Sequence, residues 1–257
     1  MKQREGRHMK KLLLALSVIT LLLIVPLLTN AQDDVTELMN QYERCNNPDS
    51  CKKIELTLIK QFLSSRRISL NELESMLAND DMMYEVIQGN LTGNETRDYI
   101  FKIEVLVYRL GEVIVVKRDE QNKKFVALPI IEKGLLYNMY TKDVSGDGVD
   151  ELIFSGYGTG TGYWEEWLAI YKYKDNKMNL IWSGDEKEVT AIGGKETTVN
   201  SRAYFYNVPG YKSKEINQTE ITKTIDTKTK KQLPEKMVEK RFRWSLRDFK
   251  FIEVKGK

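Results

Sequence analysis

Between Asp143 and Glu151 the chain places oxygen-bearing side chains at alternate positions: Asp143, Ser145 and Asp147, then Glu151 at the ninth position. A hard divalent cation needs several oxygens close together, and odd-position side chains on a tight loop supply them. Gly148 permits the sharp turn, and the carbonyl of Val149, at position seven, is the expected backbone ligand. Three carboxylates held this close repel one another, and a bound calcium ion relieves the repulsion. The expected role is structural rather than catalytic, with affinity of roughly 10⁻⁴–10⁻³ M, as in extracellular modules. An EF-hand is excluded, because position twelve is Phe154 rather than a bidentate carboxylate. The chain instead runs into Leu152-Ile153-Phe154, which reads as a strand.

A second segment follows, from Gly156 to Trp167, with glycine at positions 156, 158, 160 and 162. It lacks the Lys-Ser/Thr pair and following helix of a phosphate loop. Read as a flexible surface loop, it offers Tyr157, Tyr163, Trp164 and Trp167 to a ligand, because aromatic faces supply large contact area at small entropic cost. The alternative is a long connection whose aromatics tuck into a sheet. The partner would be an unidentified protein or a glycan. Glu165 and Glu166, with Asp185 and Glu186, are the carboxylates a glycan hydrolase would draw on.

Composition narrows the rest. The sole histidine, His8, lies in the N-terminal 31 residues, so the chain beyond them has no Ser-His or Cys-His catalysis and no imidazole metal site. Of 40 basic and 37 acidic residues, five and one fall in that segment, leaving 35 against 36. That balance gives no support for a nucleic-acid or anionic-membrane surface. Cys45 and Cys51, the only cysteines, make a poor zinc site and read as a disulfide closing a short loop.

Residues 1–31 read as a signal peptide: Lys2, Arg4, Arg7, Lys10 and Lys11, then a 17-residue apolar run over 12–28, then Thr29-Asn30-Ala31. The expectation is a secreted or periplasmic protein with no stable membrane span after cleavage. Anchoring by an uncleaved signal is the alternative. Residues 32–80 read as a helical N-terminal segment, with apolar stripes at Val35, Leu38, Met39 and Tyr42 and at Ile54, Leu58 and Phe62. Asn47-Pro48-Asp49-Ser50 separates two helices, and Ser69-Leu70-Asn71-Glu72 has capping-box spacing for a third.

From residue 82 to 257 the signal is β. Strands are expected at Tyr99–Val105, Glu112–Val116, Trp167–Tyr171 and Ala203–Tyr206, with a last hairpin joining Phe242–Trp244 to Phe249–Ile252. Residues 212–236 read as exposed, with a long edge strand. Asn90–Phe101 also repeats 53 residues later as Asp143–Phe154, glycine for glycine, isoleucine for isoleucine and phenylalanine for phenylalanine.

Asp143-Val144-Ser145-Gly146-Asp147-Gly148-Val149-Asp150-Glu151-Leu152 resembles the calcium loop of FG-GAP or VCBS repeats, the blades of integrin-like β-propellers. The resemblance implies calcium held by Asp143, Ser145, Asp147, Val149 and Glu151, with serine at position three where Asp or Asn is usual. The earlier copy, with Asn90, Thr92, Asn94 and Asp98, has lost most of its charge and is expected to bind nothing. The fold expectation is therefore α+β, mainly β, with antiparallel propeller-like repeats after the helices. The 176 residues of 82–257 hold about 3.3 units of 53, short of the usual four to eight blades, so an open or irregular repeat sheet is the alternative. The functional expectation is an exported, non-catalytic, calcium-stabilised binding module, an inhibitor of a cell-wall-degrading enzyme being one specific form. A carboxylate-based glycan hydrolase is the alternative.

Overall fold

The computed structural model describes residues 34–63, 69–94, 96–128 and 131–254, so the signal-peptide reading lies outside the described residues. The protein is mainly β, and its chain divides into two compact units. Of the described residues, those within 34–72 and 119–127 form the first, and those within 73–118 and 128–254 the second.

In the first unit, helix α1 covers 34–43 and α2 is Pro48–Phe62. Proline at the first helical turn and the Asn47 side chain, accepting from the Ser50 N–H at 3.1 Å, fix where α2 begins. Cys45 and Cys51 are disulfide-bonded across that start. Val35, Met39, Leu58, Ile59 and Leu63 are buried, as is Phe125 of the short strand β4 (Lys124–Ala127). Thr36 clasps this strand: its hydroxyl accepts from the Phe125 N–H at 3.1 Å and donates to the Phe125 carbonyl at 3.3 Å. Just beyond, the capping box closes reciprocally. The Glu72 carboxylate accepts from the Ser69 N–H at 2.7 Å, and the Ser69 hydroxyl accepts from the Glu72 N–H at 3.2 Å. Helix α3 (Leu70–Ala78) starts there.

The second unit holds two antiparallel sheets. In the first, β1 (Met82–Gly89) pairs with β2 (Asp98–Val105), β2 with β3 (Leu110–Asp119), and β3 with β5 (Ile131–Lys133). The second has eight strands in chain order: β6 (Leu135–Lys142), β7 (Glu151–Gly160), β8 (Tyr163–Lys174), β9 (Lys177–Ile192), β10 (Lys195–Asn207), β11 (Lys214–Asp226), β12 (Lys236–Ser245) and β13 (Lys250–Glu253). Leu91, Ile100, Val113, Val115 and Leu128 pack against Leu136, Met139, Leu152, Phe154, Trp167, Ala169 and Tyr171, so the two sheets share a core. The eight-stranded sheet also curls. Ile153, Leu168, Ile170, Ile181 and Trp182 of β7–β9 form a second core with Ile216, Phe242, Trp244 and Phe251 of β11–β13. Among the described residues no helix is long and apolar enough to cross a membrane.

Two stretches of the second unit share an order of elements. β1, an eight-residue loop, β2 and β3 follow the same plan as β6, an eight-residue loop, β7 and β8. Gly89 pairs with Asp98 at the mouth of one loop, and Lys142 with Glu151 at the mouth of the other. Two expectations change. Residues 214–226 are no edge strand, because β11 pairs with β10 throughout and with β12 over Glu215–Thr222. Nor is Gly156–Trp167 a flexible loop. It is a hairpin of β7 and β8 with only Thr161 and Gly162 between the strands. Its glycines serve packing: a Cβ on Gly156 would lie 2.3 Å from the Trp167 ring and 2.7 Å from the Leu135 carbonyl oxygen.

Candidate functional site

The strand ends position the acidic loop. β6 ends at Lys142 and β7 begins at Glu151, so residues 143–150 must reverse the chain within eight positions. Gly146 and Gly148 adopt φ of +79° and +87°, which L side chains rarely accept. Gly146 is required for a second reason, since a Cβ there would lie 2.3 Å from the backbone of Lys212. That neighbouring segment is tied down by the Lys214 N–H, which donates to the Val144 carbonyl at 2.9 Å.

The side chains then organise the turn. Asp143 Oδ1 accepts from the Gly146 N–H at 2.6 Å and Oδ2 from the Gly148 N–H at 2.9 Å. Asp147 Oδ1 accepts from the Val149 N–H at 3.1 Å. Glu151 is fully buried. Its Oε2 accepts from the Val144 and Ser145 N–H groups at 2.6 and 3.0 Å, and its Oε1 from the Ser145 hydroxyl at 2.8 Å. Carboxylate oxygens of Asp143, Asp147 and Glu151 all lie within 4.8 Å of one another. Asp143, Ser145, Asp147 and Glu151 are thus brought together, and Val149 lies on the same turn.

The sequence reading missed a further member. Lys172 of β8, its side chain 5 % exposed, places its ammonium 2.5 Å from Glu151 Oε1 and 3.1 Å from Asp147 Oδ1. A carboxylate oxygen has two lone-pair directions. Both oxygens of Glu151 are therefore fully engaged, Oε2 by two N–H groups and Oε1 by a hydroxyl and an ammonium. Burial pushes the Asp147 carboxyl up, but the Lys172 contact and the Val149 N–H outweigh it and hold the group below its ordinary range. Three carboxylates against one ammonium leave two negative charges, opening to solvent at Asp147, whose side chain is 48 % exposed.

The earlier copy repeats this wiring with neutral parts. Asp98, fully buried and equivalent to Glu151, accepts from the Leu91 and Thr92 N–H groups at 2.9 Å each and from the Thr92 hydroxyl at 2.9 Å. Burial is the dominant influence there and raises its carboxyl above the usual range, against the hydrogen bonds and the charge of Lys117. The Lys117 ammonium bonds the Tyr173 hydroxyl at 2.8 Å and Asn176 at 3.2 Å instead. The two loops also touch. The Asp150 N–H donates to the Asn90 carbonyl at 2.8 Å, and the Asn90 N–H to Asp150 Oδ2 at 3.2 Å.

The aromatic candidates separate. Trp167 is buried in the shared core, edge-on to Phe154 at 5.7 Å. Tyr157 approaches Tyr137, their ring centroids 6.5 Å apart. The Tyr163 hydroxyl donates to Glu165, a contact that lifts the phenol to about 12. Trp164 carries the Lys187 ammonium over its ring at 4.4 Å. Of the four further carboxylates, Glu166 and Glu186 line one cleft. No family model matches the chain, and no curated protein or solved structure does either.

Proposed function

We propose that the protein is an exported, non-catalytic binding module whose 143–151 loop is stiffened by calcium. One observation carries this reading: three carboxylates within 4.8 Å of one another, offset by a single ammonium, leave a charge of −2 that one divalent ion balances. The donor set is all oxygen, as a hard cation requires. Asp143, the Ser145 hydroxyl, Asp147 and the Val149 carbonyl would hold the ion, and Glu151 would join them by giving up Lys172. The FG-GAP/VCBS resemblance of the loop and the repeated strand-loop-strand-strand units support a propeller-like, open arrangement of blades. The basic and apolar N-terminus supports export. The ligand is a protein or a glycan, and inhibition of a cell-wall-degrading enzyme is one form such binding takes.

The test is a melting curve in millimolar calcium and then in chelator, on the parent and on Asp147→Ala. The parent midpoint rises with calcium and the variant's does not. A parent indifferent to calcium sinks the reading, and a variant that responds like the parent moves the ion elsewhere.

A further inference from the structure

The strand ladders break at two positions whose side chains meet. In β6 the pairing passes from Leu136↔Gly156 to Asn138↔Ser155 and skips Tyr137. In β9 it passes from Trp167↔Asp185 to Glu166↔Lys187 and skips Glu186. A bulge re-aims the side chain it carries, and bulges concentrate beside functional sites. Here, with β7 and β8 lying between them, the two re-aimed groups join: the Tyr137 hydroxyl donates to Glu186 Oε2 at 2.8 Å. They stand in an open cleft of about 730 Å³, also lined by Glu166, Asn200, Arg202 and Tyr204.

We infer that this cleft is the ligand site of the binding module proposed above, and that it takes a neutral glycan. The inference rests on that functional reading and gives it a location. The lining charges cancel, Glu166 and Glu186 against Lys187 and Arg202, so an ionic ligand gains no net attraction. A phosphorylated ligand would meet two carboxylates. The polar lining is a poor bed for an apolar peptide. A sugar suits both kinds of group present. The exposed rings of Tyr137 and Tyr204, 44 % and 54 % accessible, offer faces for the apolar side of a pyranose. The carboxylates, the Asn200 amide and the Arg202 guanidinium pair with neighbouring hydroxyls in both donor and acceptor roles. Burial, then the bond to Glu186, hold the Tyr137 phenol well above its ordinary range.

The experiment is calorimetric titration of the full chain with cellohexaose, chitohexaose and isomaltohexaose, with reducing-end release followed in parallel. Binding of one hexaose is expected, weakened about tenfold or more in both Tyr204→Ala and Glu186→Gln while their melting midpoints stay at the parent value. Parent-like binding by both variants, or no binding of any hexaose at millimolar sugar, overturns the assignment. Release of reducing ends that disappears in Glu186→Gln keeps the glycan in the cleft but overturns the non-catalytic reading. Loss of the calcium response in Asp147→Ala reports on the loop alone, so failure of the cleft and failure of the calcium site are told apart.

Discussion

The loops at 90–98 and 143–151 share a backbone solution and differ in their electrostatics. In each, a buried carboxylate at position nine is cupped by the N–H groups of positions two and three and by a hydroxyl at position three. The Asn90–Asp98 loop has the neutral amides Asn90 and Asn94 at positions one and five. The Asp143–Glu151 loop adds Asp143, Asp147 and the buried Lys172. The cup makes the turn, and the added charges are what a cation would act on. Calcium dependence should therefore belong to one loop, while the fold depends on both.

The largest expected effect separates the two lysines. Lys172→Met leaves buried Glu151 without its ion partner and should cost about 3–5 kcal/mol in chelator. Lys117→Met loses bonds to the neutral Tyr173 and Asn176 together with a charge acting on Asp98, and should cost less, about 1–2 kcal/mol. Urea unfolding of both variants measures the gap, and equal losses would erase the distinction drawn here. Calcium comes next. At 10 mM it should stabilise the parent by about 1–3 kcal/mol if the affinity is that of an extracellular module. Asp98→Asn should retain the response and Asp147→Ala should lose it; the reverse pattern would place the ion in the other loop.

Smaller effects sharpen the shared part. Thr92→Ala and Ser145→Ala each remove a hydroxyl from a buried carboxylate and should each cost about 1 kcal/mol in chelator, with Thr92→Ser restoring the first. Unequal costs would show that the cups are not equivalent. The smallest effect is that of pH on Asp98. Its folded carboxyl is raised by burial, so the folded state takes up a proton more readily than the unfolded chain. Relative to Asp98→Asn, the parent should therefore gain stability as pH falls through the folded value towards the ordinary aspartate value of about 3.9, and level off below it. A relative loss over that window would contradict the balance of burial and hydrogen bonding described for this residue.

Local chemistry was the legible part of the fold. The Asn47-Pro48 helix start and the Ser69/Glu72 capping box can be read from residue types because both devices act within three positions. The likeness of the two loops could be read too, because both place a carboxylate at position nine and a glycine at position four. Lys172 was hidden by one misread segment. Once Thr161-Gly162 is taken as a two-residue turn, Gly160 opposes Tyr163, and counting back along both strands brings Glu151 opposite Lys172. The alternating glycines suggested flexibility, whereas Gly156 is small because the Trp167 ring lies over it. The Tyr137–Glu186 contact had no such signal. It depends on two bulges in strands far apart in the chain, and no local residue preference encodes where a ladder slips.

The order of strands in the larger sheet has a kinetic consequence. Each strand after β6 lies beside its immediate predecessor in the chain, so every pairing closes a short segment and none waits for a distant partner. Such a sheet can zip from β6 towards β13 as successive hairpins become available. The acidic turn stands at its first hairpin, where an ion would meet the growing sheet before most of the remaining strands had joined.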